Sequence, residues 1–258
     1  MPREAREKSK TGIYHIIWRG ANRQDIFHDD DDRIRFLVVF QKYKIKYGMT
    51  VYAWCLMSNH VHLLIKEGNE DLSITMKRIG VSYVKYYNWK YRTTGHLFQD
   101  RFKSESVENK KYLLIVVRYI HQNPVKARMV HQPDEWRWSS CREYYGRSNF
   151  PKNLLDGDYV LSMFSADSEL ARKRFKEFNE RINNDQCLNE GEYKNRLTDE
   201  EARLEIKKRL GTIEIAQVKS LPKVKRTEVL RKVKAIEGLS LRQAARIFGI
   251  SLSLVFKA

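Results

Sequence analysis

The rhythm of hydrophobic and polar residues changes several times along this chain, and each change marks an element. After Gly12, Ile13-Tyr14-His15-Ile16-Ile17-Trp18 is β-branched and aromatic and predicts a first strand. Apolar positions at Ile34, Phe36, Leu37, Val39, Phe40 and Tyr43 follow helical spacing and predict a helix over 31–46, ended by Gly48. The aspartates Asp29 to Asp32 precede it and suit the positive end of the helix dipole. Val51–Leu56 and Val61–Lys66 read as two strands joined by a short break at Met57-Ser58-Asn59. A second helix is expected over 72–91, a fourth strand over 97–107, and a third helix from Asn109 to Asn123, closed by Pro124.

The resulting order, β-α-β-β-α-β-α, predicts an α+β domain with the ferredoxin-like split β-α-β arrangement, an antiparallel sheet carrying helices on one face. In that topology the first and third strands lie together at the centre. Further along, 125–146 is basic and aromatic and reads as a tail packed on this domain, while 147–219 reads as a helical linker region, with a helix near 170–182. Ser220-Leu221-Pro222-Lys223 reads as a hinge. The remainder, 220–258, predicts an all-α module like a helix-turn-helix. Its first helix spans Arg226 to Ile236, Ser240 caps a second, Gly249 turns the chain, and Ser251 caps a third. The domain plan is therefore 1–146, 147–219 and 220–258.

Charge sharpens this picture. Of 258 residues, 49 are Lys or Arg and 32 Asp or Glu, a net charge of +17. The excess is spread along the chain and favours a polyanion, nucleic acid before an anionic membrane surface. Residues 1–10 read as a flexible basic arm. Cys55, Cys141 and Cys187 are far apart and odd in number, which argues against a zinc ribbon or a disulfide framework and for reduced thiols. No signal peptide or membrane span is expected, so the expected location is the cytoplasm, in association with the nucleoid.

The chemistry centres on Asn59-His60-Val61-His62. Period two sends both imidazoles to one face of a strand. Alone, such a pair fits either a structural role or half of a metal site. Tyr119 and Asn123 are one turn apart on the third helix and share a face, and a helix packed across the sheet would bring them to the histidines. His121, two residues from Tyr119, points elsewhere. Arg19, Asn22, Arg23 and Arg101 are the expected DNA contacts, and the interleaved aromatics fit either a groove for single strands or the core.

Asn59-His60-Val61-His62-Leu63-Leu64, with Tyr119-Ile120 ahead of Asn123-Pro124-Val125-Lys126, resembles the single-tyrosine HUH transposases, in particular the REP-associated tyrosine transposase branch. Arg19 to Gln24 with Ile26-Phe27, and Phe98 to Phe102, are similar to that branch too. The resemblance covers about residues 12–145. It implies a metal-dependent nuclease and strand transferase for single-stranded or hairpin DNA. Tyr119 would be the nucleophile, and His60, His62 and Asn123 would hold Mg²⁺ or Mn²⁺. Attack by Tyr119 would give a 5′-phosphotyrosine and free a 3′-hydroxyl. The protein would act as a monomer or homodimer, with the tyrosine serving its own or its partner's site. Two other readings fit the residues: a non-catalytic DNA- or RNA-binding regulator on the same scaffold, and a hydrolase using His60, His62 and water.

Overall fold

The structure is a computed structural model, and it describes residues 7–21, 24–183, 185, 187, 188, 197 and 199–258. The chain divides into two compact units, residues 1–188 and 189–258.

The first unit is built on a four-stranded antiparallel sheet of β1 (Ile13–Arg19), β2 (Thr50–Leu56), β3 (His60–Lys66) and β4 (Lys103–Ser106). The strand order is β2-β3-β1-β4, with β1 and β3 central as the ferredoxin-like order requires. The β1–β3 register pairs Ile17 with His62 and Arg19 with His60.

Alternation along the strands splits the core in two. Tyr14, Ile16, Trp18, Leu63 and Ile65 face one way, against α1 (Asp30–Tyr47) and α2 (Leu72–Tyr91). Ile13, Ala53, Cys55 and Leu64 face the other way, against α3 (Lys110–Lys126), where Val116, Val117 and Ile120 fill the space. A register shift between Val51 and Ala53 keeps both Tyr52 and Ala53 on the α3 side. Helices thus cover both faces of the sheet, and the histidine face is the one beneath α3.

Local chemistry fixes the helix ends. Asp29 is the N-cap of α1 and accepts from the backbone N–H of Asp32 at 3.0 Å. Lys90 then clamps Asp29 at 2.7 Å and the fully buried Asp32 at 2.9 Å. Asn109 caps α3 by accepting from Tyr112 N–H at 2.8 Å. This helix does not close at Pro124 but runs on to Lys126. A proline in the last turn forfeits one backbone bond, and the Ala127 N–H to Asn123 carbonyl bond carries the turn past it.

The fourth strand is shorter than its hydrophobic pattern. Residues 97–102 make a single bridge, Gly20 to Phe98. The Trp18 ring stacks on Phe98 at 3.8 Å, and its indole N–H donates to the Asp100 carbonyl, which holds this stretch off the ladder.

Beyond the sheet come α4 (Cys141–Tyr144), α5 (Asp158–Leu161) and α6 (Ser168–Glu180). Phe175 of α6 is fully buried in the α3-side core. The first unit therefore extends well past residue 146 and takes in the helix that the sequence places in a linker.

The second unit contains α7 (Asp199–Leu210), a 3₁₀ turn at Ile215–Ser220, α8 (Lys223–Lys234), α9 (Leu241–Phe248) and α10 (Leu252–Lys257). Its core joins Ala202, Ile206 and Leu210 to Val218, Val229, Val233 and Phe248. Residues before 220 belong to this core, and Pro222 is the N-cap of α8, so 220–223 is an internal corner and not a hinge. Ser240 caps α9 by accepting from Gln243 N–H at 3.1 Å. Gly249 turns the chain at φ +63°, a value that glycine adopts without strain. Ser251 occupies the N-cap position of α10, but its side chain makes no capping bond and pairs with the Ser253 hydroxyl at 3.0 Å. Among the described residues no helix is long and apolar enough to cross a membrane.

Candidate active site

Both histidines of β3 are buried, and their rings meet edge to face at 4.9 Å. Each has one ring nitrogen engaged by a neighbour. His60 Nδ1–H donates to Asn59 Oδ1 at 2.6 Å. His62 Nδ1 lies 3.4 Å from Nε2 of His15 on β1. For His60 this puts the proton on Nδ1 and leaves Nε2 with the lone pair, the form in which an imidazole oriented by its other nitrogen can bind a cation.

Tyr119 comes down onto this pair from α3. Its ring stands edge-on to His62 at 5.8 Å and to His15 at 5.7 Å. The nucleophile expected by resemblance and one of the expected ligands are therefore neighbours within a single chain. Asn123 is one turn further along and buried. Its Nδ2 donates to the Tyr119 carbonyl at 2.9 Å, which commits the amide nitrogen and leaves Oδ1 as the oxygen donor. Lys126, seven residues past Tyr119, places its ammonium 4.7 Å from the tyrosine ring centroid.

Electrostatics keep the imidazoles neutral. Burial, and secondarily the Arg19 cation, push His60 down to about 3. Burial lowers His62 well below its usual range, with His60, His15 and Arg19 adding to the effect. A neutral imidazole is the form that can ligate a metal. Burial also lowers the Lys126 ammonium.

Among the described residues, no three His, Cys, Asp or Glu side chains are arranged to hold a metal ion. By donor type alone, two neutral imidazoles and an amide oxygen are compatible with a hard divalent cation that takes further oxygens from water or phosphate. Asn123 Nδ2 is committed to the Tyr119 carbonyl, so the amide oxygen is the atom of that side chain suited to a cation.

The expected DNA contacts fare differently. Arg19 is the cross-strand neighbour of His60, at the rim of the site. Arg101 is exposed and lies elsewhere, lining an apolar cleft of about 670 Å³ with Trp18, Val84, Phe98 and Phe102 beside α2. Asn22 and Arg23 lie outside the described residues. His121 is no ligand: it is fully buried and bridges Asn179 Oδ1 at 3.2 Å and Ser140 Oγ at 2.9 Å.

The residue that sequence reasoning missed is His15. Its signal was available, since period two puts residues 13, 15, 17 and 19 of a central strand on one face. A lone histidine in an apolar strand gives no hint of a partner until strand order places it beside His62.

Residues 8–123 match the sequence profile of the family described as "Transposase IS200 like". Over these residues, a little under half of its length, the chain is similar to that family. The chain is also similar to a REP-associated tyrosine transposase of Escherichia coli (strain K12), 27% identical over 103 residues, which are 39% of this chain and 59% of that protein. The chain thus spans under two thirds of the length of this curated relative. Among solved structures, a REP-associated tyrosine transposase bound to a REP hairpin superposes with a TM-score of 0.50 at 22% identity, covering 60% of this chain and 94% of the other. That likeness is one of fold.

Proposed function

We propose that this protein cuts and rejoins single-stranded or hairpin DNA through Tyr119, with a divalent cation, Mg²⁺ or Mn²⁺, held by His60, His62 and Asn123. The observation that carries the reading is the contact of Tyr119 with His62 in the same chain, within the residues that match the IS200-like transposase profile. The cation, when bound, would neutralise charge developing on the scissile phosphate.

The chain's own residues supply the rest. The Tyr119 oxygen attacks phosphorus and the bond from phosphorus to the 3′ oxygen breaks. The phenol loses its proton and the leaving oxygen gains one, giving a 5′-phosphotyrosine and a free 3′-hydroxyl. One phosphate ester replaces another, so a 3′-hydroxyl can reverse the step without a further energy source. Arg19 and Lys126 bring positive charge to the phosphate. The spacing within one chain favours a tyrosine acting in its own subunit, whether the protein is a monomer or a homodimer. Hairpin DNA of the REP type is the proposed substrate, by analogy with the relative's name and with the hairpin in the structural neighbour.

For the second unit we propose duplex DNA binding through the α9–turn–α10 pair, with Arg242 and Arg246 of α9 and Lys257 of α10 supplying charge. A second reading, a DNA-binding regulator that does not cut, draws on Tyr119 being only 4% exposed. Incubation with labelled hairpin DNA and Mn²⁺ followed by a denaturing gel separates the two. A covalent adduct supports the transferase, and binding with no adduct across several hairpins supports the regulator.

A further inference from the structure

His15 stands behind His62 in a line that ends on a carboxylate. Its side chain is fully buried, its ring stacks on His62 at 5.6 Å between centroids, and its Nε2 is 3.4 Å from His62 Nδ1. On the other side, His15 Nδ1 has no hydrogen-bond partner and lies 4.0 Å from Glu105 Oε2. The β1–β4 register sets this up by pairing His15 with Glu105 directly across the strands. Glu105 is itself held in place: its Oε2 accepts from the Tyr112 hydroxyl at 2.7 Å and from Leu188 N–H at 2.9 Å.

One proton lies between the two rings, and it has two possible homes. If His15 Nε2 carries it, His62 accepts through Nδ1 and keeps its own proton on Nε2, where it would block a cation. If His62 Nδ1 carries it, Nε2 of His62 is a lone pair, and the proton of neutral His15 sits on Nδ1. That is the side facing the Glu105 carboxylate, so the carboxylate favours the second arrangement. We infer that His15, backed by Glu105, is a positioning residue that fixes the His62 tautomer so that Nε2 is presented to a divalent cation.

The inference rests on the cation site proposed above, and the test separates the two. Mn²⁺ alone is titrated into the full chain by calorimetry. His15→Phe keeps a buried ring but removes the acceptor, and is expected to weaken Mn²⁺ binding about 10–100-fold, the usual cost of losing such an outer partner. His15→Gln places an amide oxygen near the Nε2 position and is expected to restore most of the affinity. Glu105→Gln is expected to weaken binding less than His15→Phe does. Unchanged binding in His60→Ala would overturn the cation site and this inference with it. Weak binding in His60→Ala with unchanged binding in His15→Phe would overturn this inference alone. A readout independent of any variant's folding is the nitrogen-15 NMR signature of the wild-type imidazoles: a proton on His62 Nδ1 is expected, and a proton on His62 Nε2 overturns the assignment.

Discussion

The ring of Tyr119 stands edge-on to that of His62, 5.8 Å between centroids, across the gap between α3 and the centre of the sheet. Two elements far apart in the sequence must each be placed correctly for this to happen. β3 must be central with its histidines turned away from α1 and α2, and α3 must cross the face they are turned to. Both conditions follow from alternation: Val61, Leu63 and Ile65 enter one core, which leaves His60, His62 and Leu64 for the other side.

The sheet depends on a close approach at Gly80. A methyl group there would lie 2.1 Å from the end of the Trp18 ring. Gly80→Ala is expected to lower stability by about 1–3 kcal/mol, because overpacking outweighs the helix propensity gained. Chemical denaturation measures it, and a Trp18→Phe background, which relieves the clash, should recover part of the loss.

Much of the first unit was legible in its sequence. The strands, the first two helices and the placement of β1 beside β3 follow from periodicity and topology alone. The extent of β4 does not, because the stack of Trp18 on Phe98 is a tertiary contact that overrides strand propensity in 97–102. Nor does the boundary between units. The fit of α6 into the first unit depends on His121 meeting Asn179 and on Phe175 entering the core, and neither pairing leaves a periodic trace. In the site, Tyr119, His60, His62 and Asn123 could be named from spacing and resemblance. His15 and Glu105 acquire meaning only from the strand register.

Stability should depend on pH through His121. Burial lowers its folded-state value to about 3 from 6.5. Between those values the unfolded chain binds the proton and the folded chain does not. The contribution of neutral His121 is therefore complete above about 6.5 and is lost as pH falls towards 3, at up to about 1.4 kcal/mol per pH unit. Urea unfolding from pH 4 to 7 should show wild type gaining stability with pH more steeply than His121→Gln.

Arg101 should act on affinity and not on cutting. It is exposed, lies in the α2-side cleft, and is offered there as a phosphate contact. Arg101→Ala is expected to weaken hairpin DNA binding and to reduce the salt slope of log affinity by about 1. Fluorescence anisotropy at several salt concentrations tests this, and an unchanged slope would remove Arg101 from the DNA path.

The cation should be needed for the covalent step. With EDTA present, or in His60→Ala, adduct formation on hairpin DNA is expected to fall at least about 100-fold while DNA binding persists, since the charge developing on phosphate would go unneutralised. Adduct yield on denaturing gels, alongside anisotropy for binding, checks both parts.

The most direct measurement of the central claim is to identify the atom that DNA becomes attached to. The wild-type protein is reacted with hairpin DNA and Mn²⁺, digested, and the nucleotide-bearing peptide sequenced by mass spectrometry. The expected result is a 5′-phosphate ester on Tyr119, absent from Tyr119→Phe. Attachment at another residue, or cleavage that persists in Tyr119→Phe and leaves no protein–DNA bond, would contradict the account.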